Sequence, residues 1–387
     1  MLKTAAETVG NKDCNCQLLY FTSSSLSADD TTIFFISDRS GSPNIHVKNL
    51  ITGSEKMLTD NKSGYQKSYV YFDGDPLIGL GKASISLDTL NKIVYYIQDN
   101  QIKCVNENGE IKTLADVPSG EVTAFTHVSA DGKLLCVPTT DARALEYDTI
   151  VNNTVPYNID ERVQRENLCS YLNVIDTATG EIVLREPVPK SWITHVQFSP
   201  TDNSKILYNH EWPGDCGIRR MWLFDGENHI ALRTENDERR RDDWTCHEMW
   251  STNGQSIIYH GSYHGGQSYI GKIEMNDLSI TEIAIQENYK KYGHFTISPT
   301  GMLVSDGYYE ENDTSNWSEY ISIQQIDWTR KKINWIPLCK HNSSWRSQDA
   351  HPHPIYNHAG DKIYYTSDSL NDTLKIYAVN CDENTST

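Results

Sequence analysis

Four histidines occupy one position of a recurring phrase. His195, His247, His294 and His353 each stand four residues before a turn Ser or Asn, namely Ser199, Ser251, Ser298 and Asn357. A neutral imidazole is both a metal ligand and a general base near pH 7, so a converging set could bind an ion, move a proton, or do both. The competing reading is that each His hydrogen-bonds within its own repeat as scaffold. The first three copies of the phrase carry no His in this register, which argues against a scaffold requirement. The last copy adds a second imidazole in Gln348-Asp349-Ala350-His351-Pro352-His353-Pro354. In an extended segment, alternation puts His351 and His353 on one face with Cα atoms about 7 Å apart, close enough to share a divalent cation. Gln348 can loop back to add a carbonyl oxygen, and the prolines stiffen the segment and remove competing donors. Three imidazoles (His294, His351, His353) with an amide oxygen and waters make a mixed nitrogen and oxygen donor set, suited to Mn²⁺ and less so to a thiolate-preferring ion. Surface histidines in a Pro-rich turn are the alternative.

Two further segments carry charge. The stretch from Asn209 to Trp222 includes His210, Glu211 and Arg220, and an Arg held there could fork onto a carboxylate. A solvated edge-strand charge is the other reading of Arg220. The run Asp237 to Asp243 is mixed in sign and reads as a solvated loop rather than a polyanion site.

The elements that would position these side chains repeat seven times. Each copy is a small polar turn with Asp, Asn or Gly, followed by a short β-branched and aromatic run. Examples are Phe198-Ser-Pro-Thr-Asp-Asn-Ser-Lys-Ile-Leu-Tyr208 and Ile297-Ser-Pro-Thr-Gly-Met-Leu-Val304. The copies recur every 42 to 70 residues, several are followed by a second hairpin, and long helical periodicity is absent. Two hairpins make a four-stranded sheet that cannot cover both faces alone, and a ring of such sheets buries them against one another. This predicts an all-β, single-domain, seven-bladed β-propeller spanning 1–387, with six blades as the alternative and 142–166 as an inter-blade insertion or surface loop. In such a ring, equivalent positions on the inner strands converge near the axis.

Composition narrows the function classes. A net charge of −18 argues against a nucleic-acid partner, because neutralising a phosphate backbone needs a surplus of Lys and Arg. The nine cysteines are odd in number and scattered, which predicts reduced thiols rather than a disulfide framework or zinc ribbon. The first residues lack the roughly 7–15-residue apolar stretch of a secretory signal, and nowhere do about 18 apolar residues run together. A cytoplasmic chain with no membrane partner is expected.

The chain resembles the oligogalacturonate lyases, polysaccharide lyase family twenty-two. The likeness rests on His210-Glu211-Trp212-Pro213 followed by Arg220-Met221-Trp222, and on Cys246-His247-Glu248-Met249-Trp250. It rests further on His294 with Ser305-Asp306-Gly307, on His341-Asn342-Ser343-Ser344-Trp345, and on Gln348-x-x-His351-Pro352-His353-Pro354 with Tyr365-Thr366-Ser367-Asp368. The resemblance covers residues 190 to 380. The earlier part fits by blade pattern, with Cys16-Gln17-Leu18-Leu19-Tyr20-Phe21 where the family opens on a His-Arg-Asn-Tyr-Phe-like run.

It implies β-elimination on short α-1,4-linked galacturonate chains inside the cell, an acidic oligosaccharide as ligand, and a divalent metal, Mn²⁺ first. It also implies His247 as base, Arg220 as carboxylate clamp, Gln348, His294, His351 and His353 as ligands, and His210 and His195 as substrate contacts. A lyase for another uronate oligosaccharide and a non-catalytic interaction or sensing propeller are the alternatives. A propeller-capped hydrolase would need a Gly-x-Ser-x-Gly elbow, which the sequence lacks.

Overall fold

The computed structural model describes residues 2–10, 13–62, 79–81, 84–145, 159–211, 220–233, 244–263, 266–286, 292–307, 319–369 and 372–381. Among them lie seven antiparallel sheets, six of four strands and one of five, and the fold is a seven-bladed β-propeller. Blade one opens with Cys16–Leu18, blade two with Ser86–Asp88 and blade four with Val196–Phe198. Blades five, six and seven open with Trp244–Trp250, Tyr292–Ile297 and Ile355–Tyr356. Blade three splits its opening strand into Glu121–Thr123 and His127–Val128, both paired with Leu134–Asp141. The outermost strand of blade seven is Ala6–Val9, paired with the C-terminal strand Lys375–Asn380.

The recurring turn joins the first and second strands of each blade. In four blades its Ser or Asn side chain accepts an N–H at, or one residue before, the start of the second strand: Ser129 from Leu134, Ser251 from Ser256, Ser298 from Met302 and Asn357 from Lys362. Gly132, Gly254, Gly301 and Gly360 turn the chain at φ between 68° and 84°, a region that only glycine enters without strain. The turn residue therefore fixes the register of the strand before it.

The chain divides into two compact units, Met1–Met57 with His247–Thr387, and Leu58–Cys246. In the first, Ile258, Ile270 and Ile285 of blade five pack with Phe295 and Leu303 of blade six. Val304, Ile321, Ile323 and Leu338 of blade six pack in turn with Tyr356, Ile363, Tyr365 and Val379 of blade seven. The second unit repeats the arrangement between blades three and four, with Leu172, Val174 and Val188 against Val196, Phe198 and Ile206. Each fully buried aliphatic side chain contributes roughly 1.5–3 kcal/mol.

The segment 142–166 leaves the end of Leu134–Asp141 and returns to Cys169–Asp176 in the same sheet, so it belongs to blade three rather than to a connection between blades. Its described part holds a 3-10 turn, Ala142–Leu145, and the helix Ile159–Arg165. Among the described residues no helix is long and apolar enough to cross a membrane. The eight described cysteines are all free thiols. Cys216 and the charged run 237–243 lie outside the described residues.

Candidate active site

Blade six supplies the first imidazole. Its opening strand shifts register between Tyr292 and Phe295, so that Gly293 and His294 together oppose the single Asp306. Such a bulge re-aims a side chain without ending the ladder. The fully buried Asp306 accepts the His294 N–H at 2.7 Å on Oδ1, and its Oδ2 lies 3.1 Å from His294 Nδ1. The same Oδ2 accepts the backbone N–H of His353 at 3.0 Å. One carboxylate thus holds two candidate ligands, as outer carboxylates commonly do around metal-binding imidazoles. With Nδ1 engaged, His294 offers Nε2. Gly293 permits this approach, since a Cβ there would come within 2.2 Å of Asp306 Oδ1.

His351 and His353 join His294, but not by strand alternation as expected. The opening strand of blade seven is only Ile355–Tyr356, and His353 has the left-handed backbone, at φ 46°. Both residues would have to be extended for alternation to hold, and the bend at His353 replaces it. One ring nitrogen from each of His294, His351 and His353 lies within 4.8 Å of the other two. Two nitrogens on one ion are separated by about 4.2 Å at most, so modest ring rotations let the three share a cation. Gln348 is half-buried at the start of a 3-10 turn, Gln348–Ala350, whose end leads directly into His351.

Aromatic rings wall this cluster. Phe21, just beyond the first strand of blade one, stacks on His353 at 5.3 Å and meets His294 and His247 edge-on. Tyr20 meets His353 at 5.2 Å, and Trp345 lies 4.3 Å from His351. Trp345 has φ 57°, and the Ser344 N–H beside it donates to Asp368 at 2.8 Å. Sequence reading assigned no role to Asp306, Phe21, Tyr20 or Trp345. The first and last lay in the motifs Ser305-Asp306-Gly307 and His341 to Trp345, which were the available signal.

His247 is half-buried beside the cluster, its ring 4.4 Å from that of His294. It too has a left-handed backbone, at φ 51°. Its Nδ1 lies 2.7 Å from Nε2 of His260, a residue that sequence reading passed over. Bulky residues held in this region mark a backbone that the surroundings over-determine, which is common at functional sites.

The other three expected residues lie in the second unit. Glu211 Oε2 accepts from Thr194 Oγ1 at 2.6 Å, from Asn209 Nδ2 at 2.7 Å and from Arg220 at 3.2 Å, and His195 Nδ1 is 3.6 Å away. Burial opposes ionisation of Glu211, but Arg220 and these hydrogen bonds hold its carboxyl well below the usual range. Arg220 is therefore an oriented, nearly buried cation, not a solvated edge charge. His195 stacks on Phe125 at 4.4 Å, and Phe125 itself stands four residues before Ser129, in the register that His holds elsewhere.

His210 stacks on Trp222 at 5.0 Å. Burial, helped by His229, pushes its pKa down to about 4. A His whose folded value lies below the unfolded value of about 6.5 gives stability that is complete above that value and is lost as pH falls toward the folded one. Melting from pH 7.5 to pH 5 should therefore show a loss of about 2 kcal/mol from this residue, absent in His210→Gln. An identical acid slope in the variant would place the acid sensitivity elsewhere.

The family model for oligogalacturonate lyase matches residues 149–384, more than half of the chain. The chain belongs to the oligogalacturonate lyase family. An oligogalacturonate lyase of Dickeya dadantii (strain 3937) is 26% identical over 222 residues, 52% of this chain and 53% of that protein. The chain thus spans about half the length of the curated relatives it matches. Among solved structures, an oligogalacturonate lyase in complex with manganese has a TM-score of 0.77 at 19% identity, covering 99% of this chain and 97% of that one. An oligogalacturonate lyase from Vibrio parahaemolyticus has a TM-score of 0.76 at 21% identity, covering 98% of this chain and 94% of that one. These likenesses carry the propeller fold across the whole length, including the early blades that the family model leaves out. Both the His cluster and the Glu211 network lie within the matched residues.

Proposed function

We propose that this chain is a Mn²⁺-dependent lyase that cleaves short α-1,4-linked galacturonate chains by β-elimination, leaving a 4,5-unsaturated uronate. The observation that carries the reading is the grouping of His294, His351 and His353, with the His247 ring 4.4 Å from that of His294. Family membership supports the reaction, and the manganese in a structural relative supports the ion. We assign His294, His351, His353 and Gln348 as its ligands, with Asp306 holding two of them in place. The fit is chemical: three neutral imidazoles and an amide oxygen suit a borderline or hard divalent ion.

The C5 proton of a uronate lies beside a carboxylate, whose negative charge makes proton removal unfavourable. The ion, when bound, supplies positive charge that offsets the charge growing on that carboxylate. Arg220 clamps a substrate carboxylate in this reading, its guanidinium already oriented by Glu211. His247 takes the C5 proton, and the C4 oxygen leaves as the C4–C5 double bond forms. Phe21, Tyr20 and Trp345 keep the surroundings apolar, where each charge interaction is stronger than in water. His210 and His195 are assigned to substrate contact, with the whole chain acting as one propeller domain. Placement in the cytoplasm is part of the proposal, supported by the free thiols of all eight described cysteines.

The product's double bond is conjugated with its carboxylate and absorbs in the ultraviolet. Adding digalacturonate with Mn²⁺ should raise the absorbance, and prior chelation should stop the rise. No rise with digalacturonate or trigalacturonate would remove the substrate assignment, and a chelator-insensitive rise would remove the metal dependence.

A further inference from the structure

We propose that His260 is a positioning residue that sets the tautomer of His247, and the inference rests on His247 being the base. His260 lies on the second strand of blade five, Ser256–Ser262, and is 4% exposed. His247 faces it from the first strand across the turn, thirteen residues earlier in the chain, with Nδ1 2.7 Å from His260 Nε2. The two rings are tilted by 30° with centroids 4.9 Å apart, so the contact is a hydrogen bond between ring edges rather than a stack. Phe295 of blade six meets the His260 ring edge-on at 6.2 Å.

A neutral imidazole carries one N–H, so in this bond one ring donates and the other accepts. If His260 Nε2–H donates, His247 carries its own proton on Nε2 and has no lone pair left for substrate. If His247 Nδ1–H donates, its Nε2 holds a lone pair and can accept a proton. Only the second arrangement makes His247 a base, and it requires His260 to carry its N–H on Nδ1 and accept through Nε2. When His247 Nε2 takes the C5 proton, the electron pair of the C5–H bond passes to the new double bond. The positive charge on His247 is then shared through Nδ1–H with the acceptor nitrogen of His260. This is the part that a carboxylate or carbonyl plays behind a catalytic imidazole elsewhere. His260 performs it without adding negative charge beside a cation site.

The test compares two replacements in the Mn²⁺-loaded protein with digalacturonate as substrate. His260→Met keeps apolar bulk and removes the acceptor, while His260→Gln places an amide oxygen near the original Nε2. The expected result is a fall in kcat of about thirtyfold or more for Met, with KM within about threefold and unchanged Mn²⁺ per chain. Gln should recover at least about tenfold over Met, and His247→Ala combined with His260→Met should be no slower than His247→Ala alone. Wild-type kcat in the Met variant, Gln no better than Met, an additive double variant, or loss of Mn²⁺ would each overturn the role of His260. If His247→Ala itself keeps wild-type turnover, the base assignment fails first, which separates the two failures.

Discussion

Stripping the ion, or replacing His351 by Ala, should abolish turnover and leave the propeller standing. Lewis-acid stabilisation of developing charge contributes several kcal/mol, so the loss in kcat should be at least about a thousandfold. Stability should respond little, because the blades are held by their own apolar interfaces and not by the ligands. Ile258, Ile270, Phe295 and Leu303 between blades five and six are buried irrespective of an ion, as are Ile321, Ile363 and Tyr365 between blades six and seven. His351 itself is only half-buried, so its truncation removes little core. The melting temperature should therefore move by no more than a few degrees on chelation. Activity retained after complete removal of metal would sink the assignment, and unfolding on chelation would make the ion structural instead.

The blade count was legible because one turn chemistry recurs. In blades five, six and seven a Ser or Asn side chain accepts an N–H at the start of the next strand, with Gly at positive φ in the turn, so a constant offset of four residues finds the same place in successive blades. That offset located His195, His247, His294 and His353. Opening strands were less legible, since Val196–Phe198 and Ile355–Tyr356 are too short to show alternation. The same shortness defeated the expectation that His351 and His353 share a strand face.

The partners around the imidazoles were hidden for a different reason. Asp306 and His260 act across hairpins, and Phe21 comes from a blade more than two hundred residues earlier in the chain than His247. No local spacing encodes such contacts. The left-handed backbones of His247 and His353 were likewise invisible, because the sequence shows no glycine there to announce them.

Replacing His247 by Ala should cut turnover by at least about a hundredfold while Mn²⁺ binding stays intact. The imidazole lies next to His294, yet the three nitrogens that lie within 4.8 Å of one another come from His294, His351 and His353. Its own Nδ1 lies 2.7 Å from His260 Nε2, and the proposed base is therefore Nε2. If His247 serves the reaction without holding the ion, as proposed, metal content and turnover should separate in the variant.

Arg220→Lys should behave differently, because the guanidinium, which donates to Glu211 at 3.2 Å, is a planar fork that an ammonium cannot reproduce. It should raise KM and lower kcat together, with metal content again unchanged. Loss of Mn²⁺ in His247→Ala would recast His247 as a ligand. Wild-type turnover would remove it as the base and direct the same experiment to His210. If Arg220→Lys changed neither constant, Arg220 would be left with the structural task of neutralising the buried Glu211.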